Sequence, residues 1–105
     1  MSDSEIEKAL DFLRDSAEEY AQWRAAEKYY EHQIKRIEAK QFVEQEKGAV
    51  EAKRMQARAS EEYGECLENY HESKYNAELI GARRSAAEIK ISFRQTQMKT
   101  DNQGY

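Results

Sequence analysis

From Ala17 to Ile37 the apolar residues return every three or four positions: Tyr20, Trp23, Ala26 or Glu27, Tyr30, Ile34 and Ile37. Six turns at that spacing describe one face of an α-helix, because only a 3.6-residue period keeps such positions aligned. The rest of the chain agrees. None of the 105 residues is proline, and nearly every segment is built from Ala, Glu, Lys, Arg and Gln, which are good helix formers. No stretch alternates β-branched and polar residues, so strands are not expected. The fold class that follows is all-α.

The helix ends are marked by local chemistry. Ser4 and Glu7 have capping-box spacing, and Ile6, Leu10, Leu13 and Ala17 continue from them at helical intervals. Ser16 and Glu19 repeat the spacing, which predicts a bend near Asp15–Ser16. Phe42 and Val43 close the first run, and Lys47-Gly48 is a stop signal. Residues 49–59 favour helix but carry little amphipathic pattern. Ser60 followed by Glu61 and Glu62 is an N-cap with acids in the first turn. A second long run then carries Tyr63, Cys66 or Leu67, Tyr70, Ala77 and Ile80, and shifts past Gly81 to Ala82, Ala86, Ile89 and Phe93. Gly64 and Gly81 each cost about 1 kcal/mol relative to Ala, so close approach of another backbone is expected there.

The expected architecture is a single helical domain over 1–105. Helices span about 4–46 and 61–98, with a connector at 47–60 and a frayed tail at 99–105. The two long helices pack antiparallel as an elongated, coiled-coil-like hairpin. Charge agrees with that arrangement. Residues 1–20 carry −5 and residues 82–105 carry +3, within a net charge of −4. Each end suits its helix dipole, and the fold-back sets acid beside base.

Large apolar residues are scarce: Leu, Ile, Val and Phe together number fifteen. A two-helix seam that thin is short of burial. Phe12, Tyr29, Phe42, Tyr75, Leu79 and Ile91 fall off the seam and form a second partial face. Both features predict self-association, most simply a two-fold dimer that completes a helical bundle.

The same counts exclude several function classes. No run is long and apolar enough to span a bilayer, and the acidic N-terminus is not a signal peptide. One cysteine does not make a disulfide scaffold. A cytoplasmic location is expected.

Glu68 and His71 have the Glu-x-x-His spacing of di-iron bundles, but His32 has Tyr29 in place of the matching carboxylate. No metal or cofactor is expected. The four glycines stand apart, so there is no phosphate loop. No carboxylate pair sits in an apolar pocket. The chain reads as non-enzymatic, with no small-molecule substrate.

Two groups remain as candidate contact residues. Arg83, Lys90 and Arg94 lie on one helical face and are the nucleic-acid candidates. Three cations support weak, salt-sensitive, sequence-independent contact. Tyr20, Trp23, Tyr29, Tyr30, Tyr63 and Tyr70 are the candidates for a protein-partner or oligomer surface. Aromatics of this kind serve as bundle core or as binding hot spots.

Three stretches carry a resemblance. They are Leu13-Arg14-Asp15-Ser16-Ala17-Glu18-Glu19-Tyr20-Ala21, Ala57-Arg58-Ala59-Ser60-Glu61-Glu62-Tyr63, and Ile89-Lys90-Ile91-Ser92-Phe93-Arg94-Gln95-Thr96-Gln97. Across roughly residues 5–97 the chain resembles a family of small all-helical proteins of tailed phages and prophages. Members tend to be encoded near recombination and single-strand-binding genes. The resemblance implies an accessory protein of phage DNA recombination or replication in the host cytoplasm. It carries over no catalytic residue. Members often have Trp-Arg where this chain has Phe93-Arg94, and more bases at the C-terminus. Two alternatives stand beside it: a small phage inhibitor of a host defence or nuclease, with an acidic DNA-like face, and a structural coiled-coil scaffold.

Overall fold

A computed structural model describes residues 2–44 and 49–103. Three helices follow in order: α1 (Asp3–Glu44), α2 (Val50–Arg58) and α3 (Glu61–Gln103). The fold is all-α, an antiparallel helical hairpin measuring 80 × 22 × 14 Å. One arm is α1. The return arm is α2 followed by α3.

Ser2 opens α1. Its Oγ accepts from the Glu5 N–H at 3.2 Å, and its carbonyl accepts from Ile6 at 3.3 Å. The cap therefore falls two residues before the expected Ser4. The helix then runs unbroken through Asp15–Ser16, where a bend was expected. Ser16 is buried in the seam, so its hydroxyl does not serve as a cap. The expected stop at Lys47-Gly48 lies outside the described residues.

The connector is largely helix. Ala57 in α2 is fully buried, the Lys53 ammonium lies 5.2 Å from the Phe42 ring centre, and Arg58 pairs with Glu38 at 3.4 Å. These contacts lay α2 antiparallel along the end of α1. The return arm is interrupted only at Ala59–Ser60. There the Ser60 Oγ donates to the Ala57 carbonyl at 2.8 Å and accepts from the Tyr63 N–H at 3.2 Å. It thus ends one helix and caps the next, as its sequence position predicted. α3 continues to Gln103, past the expected end at 98 and into the expected frayed tail.

Three contacts fix the register. The Cys66 thiol lies 3.7 Å from the Tyr30 carbonyl. Arg84 reaches the Leu13 carbonyl at 2.6 Å, and Arg94 reaches Asp3 at 3.1 Å. Between them the seam has strict heptad spacing. On α1 it runs Ile6, Ala9, Leu13, Ser16, Tyr20, Trp23, Glu27, Tyr30, Ile34 and Ile37. On α3 it runs Tyr63, Cys66, Tyr70, Ser73, Ala77, Ile80, Arg84, Ala87, Ile91 and Arg94. Every one of these residues is buried or half-buried. Alternating steps of three and four residues keep a seam facing its partner, the geometry of a coiled coil.

Three expectations about this seam need correction. Leu10 is 51% exposed and Ala17 is exposed, while Ala9 and Ser16 take their places. Past Gly81 the seam does not shift to Ala82, Ala86, Ile89 and Phe93; it stays in phase through Arg84, Ala87, Ile91 and Arg94. Ile91 belongs to the seam rather than to the second face. The cause is close packing. Small side chains at the contact let helix axes approach, and the buried set here is mostly Ala, Ser and Cys.

The two internal glycines differ. A Cβ on Gly81 would lie 3.3 Å from the Tyr20 ring and hydroxyl, whereas a Cβ on Gly64 meets nothing within 4 Å. The close approach expected at both exists only at Gly81, and the neighbour is a side chain. Gly64→Ala is therefore expected to raise stability by about 0.5–1 kcal/mol, the usual gain from removing a helical glycine. Gly81→Ala should yield less, because Tyr20 must give way. Urea midpoints of the two variants measure the difference.

Candidate interaction surface

The aromatic candidates divide once the helices pair. Tyr20, Trp23, Tyr30, Tyr63 and Tyr70 are half-buried in the hairpin seam. The Tyr20 ring centre lies 5.3 Å from the Arg84 guanidinium and 5.6 Å from that of Arg24. The Trp23 indole N–H points to Glu19 at 3.4 Å. Only Tyr29 stands out, 57% exposed and edge-on to Tyr30 at 5.2 Å between ring centres. These residues mainly hold the two arms together, so they do not form one open partner patch.

The basic candidates divide too. Arg94 turns into the seam and pairs with Asp3, tying the start of α1 to the C-terminal part of α3. Arg83 and Lys90 stay exposed. With Lys8 of α1 they rim an open groove of about 340 Å³ whose apolar floor includes Ala9, Phe12, Ala86 and Ala87; Glu5 is its one acid. Lys8 was missed by the sequence reading because it lies on the other arm. Only the register brings it beside Arg83 and Lys90.

The outer face of α3 carries a second apolar line. Tyr75, Leu79, Ala82, Ala86, Ile89 and Phe93 follow each other at steps of four and three on the side of α3 away from the seam, with Leu79 half-buried and Ala86 also edging the groove. Tyr75 is 65% exposed, Ile89 68% and Phe93 53%. Part of this line was read from sequence as the seam itself. Ser85, Glu88, Ser92 and Thr96 border its C-terminal half. Isolated exposed apolar residues are ordinary, but six in register along one helix make a continuous face.

The reactive groups are quiet. Cys66 is buried in the seam. Burial, and next the Glu62 carboxylate, push its thiol up, so it stays protonated and a poor nucleophile at neutral pH. His71 lies tilted against the Tyr70 ring. Among the described residues no three His, Cys, Asp or Glu side chains gather where a metal ion could be held. No helix among them is long and apolar enough to cross a membrane.

No known protein family, curated protein or solved structure matches the chain.

Proposed function

We propose that this chain is a non-enzymatic interaction protein that self-associates as a two-fold dimer. In this reading it is a small phage accessory protein that holds a protein partner during phage DNA recombination or replication, in the host cytoplasm. The observation that carries the interaction role is the second apolar line on α3. A rod this slender leaves five of these six aligned apolar residues exposed and the sixth, Leu79, half-buried, and a second chain is what covers such a line. The phage setting rests on the family resemblance of the three stretches quoted above.

The grooves along the rod support the non-enzymatic part. They are shallow and open, whereas sites for small substrates are concave and enclose most of the ligand. Direct DNA contact draws on Lys8, Arg83 and Lys90, with Arg94 already committed to Asp3. The inhibitor reading gains less support. Arg14 pairs with both Asp11 and Asp15 at 3.1 Å, which interrupts the acidic surface a DNA mimic needs.

Sedimentation of the whole chain tests self-association: a dimer is expected at tens of micromolar, and a sharp monomer overturns it. A gel shift with single- and double-stranded DNA tests the basic rim. Binding at about 50 mM salt should fade as salt rises, and its absence removes Arg83, Lys90 and Arg94 as contacts.

A further inference from the structure

We propose that the outer line of α3 is the dimer interface, formed by two α3 helices packed antiparallel about a two-fold axis that passes beside Arg84. This rests on the self-association reading above and adds the surface and the register.

The argument begins with spacing. Tyr75, Leu79, Ala82, Ala86, Ile89 and Phe93 keep the same alternation of four and three as the hairpin seam. They lie on the opposite side of α3 from it. A helix with two heptad seams has two helical neighbours. The first is α1, and no helix among the described residues covers the second seam.

The order of sizes then selects the occupant. Read from either end, the line runs aromatic, branched aliphatic, alanine, alanine, branched aliphatic, aromatic. Turned about a two-fold axis, it is complementary to itself. Tyr75 faces Phe93 of the second copy, Leu79 faces Ile89, and Ala82 faces Ala86. The alanines sit at the centre, where the two backbones come closest, and the rings close both ends. An isologous contact requires that kind of self-matching.

The area is sufficient for a real contact. The line spans about 27 Å at about 1.5 Å per residue. Aromatic side chains bury roughly 150–250 Å² each when fully covered. Four half-exposed rings, two Leu–Ile pairs and the central alanines bring the contact to the low end of specific interfaces, about 1,200 Å² in total. The dimer is accordingly a reversible one.

One feature opposes the pairing and makes it recognisable. Arg83 flanks the line next to the axis and meets Arg83 of the second copy, while Lys90 meets Asn76. Like charges at a surface contact are screened by salt. The dimer should tighten by roughly twofold or more between about 50 and about 300 mM salt. A contact between the acidic face of α1 and the basic flank of α3 would weaken over the same range.

The experiment uses the whole chain in a Cys66→Ala background. Ser85 lies beside the axis and faces Ser85 of the second copy, so Ser85→Cys should crosslink to dimer under diamide. Ser92 faces Glu78, so Ser92→Cys should stay uncrosslinked. Ile89→Glu and Phe93→Glu change exposed positions outside the hairpin seam. They should leave the helical circular dichroism unchanged and reduce dimer affinity at least tenfold. A dimer that survives both substitutions, weakens with added salt, or crosslinks as readily through Ser92→Cys overturns this interface and leaves self-association standing. A parent chain that sediments as a monomer overturns both.

Discussion

Arg84→Ala is expected to cost the hairpin about 2–3 kcal/mol, read as a lower urea midpoint with an unchanged slope. Arg84 occupies a seam position that an apolar residue would normally fill. Its guanidinium donates to the Leu13 carbonyl at 2.6 Å and to the Ser16 hydroxyl at 2.9 Å. It also stacks 5.3 Å from the centre of the Tyr20 ring. Hydrogen bonds from a charged donor are worth about 1.5–3 kcal/mol, and a cation over an exposed ring adds about 0.5–1 kcal/mol. The stem covers apolar surface as well. Arg84→Met should recover part of the loss by keeping the stem. Arg84→Lys should recover part of the polar contribution, because both bonds come from one nitrogen, Nη1, and an ammonium can serve two acceptors but cannot lie flat on the Tyr20 ring.

Ile80→Ala should cost about 2–4 kcal/mol, the range for emptying a buried aliphatic site. Among the described residues Ile80 and Ile37 are the two large aliphatic residues that are buried, each 8% exposed. Small domains have about 5–15 kcal/mol in all, and a thin rod sits low in that range. The thermal midpoint should fall by roughly 10 °C or more, since each 1 kcal/mol shifts a domain of this size by about 4–8 °C. Leu10→Ala is the matched control. Leu10 is half exposed, so its loss should stay below about 1 kcal/mol. Circular dichroism melts of the two variants give the comparison. Equal losses would mean that Leu10, not Ala9, faces the seam.

The contrast between Leu10 and Ile80 shows what the sequence makes legible. The all-α hairpin, its antiparallel sense and the Ser60 cap follow from helix formers, spacing and charge. The phase of the seam does not follow from residue size. α3 carries two heptad-spaced lines on opposite sides, one holding Ile89 and Phe93, the other Arg84, Ala87 and Arg94. A reading that favours bulk picks the first. Packing favours the second, because small residues bring the helices close and the arginines find acceptors on α1 at Leu13, Ser16 and Asp3. The available signal was the unbroken alternation from Tyr63 to Arg94, which needs no shift at Gly81. The Lys8 rim of the groove was not legible, because it depends on which residue of α1 lies opposite Arg83 and Lys90.

The unbroken heptad phase on both arms makes this molecule a ruler. From Ile6 to Ile37 on α1 and from Tyr63 to Arg94 on α3, its length is set by a count of repeats. Removing seven residues from α1 and the seven that face them on α3 leaves every remaining partner in place. The rod becomes shorter by about 10 Å. Removing a number that is not a multiple of seven from one arm rotates the later seam positions away from their partners. Length in such a chain therefore changes in quantised, paired steps, and the distance between the two ends of the seam is a property that mutation can reset without redesigning a core.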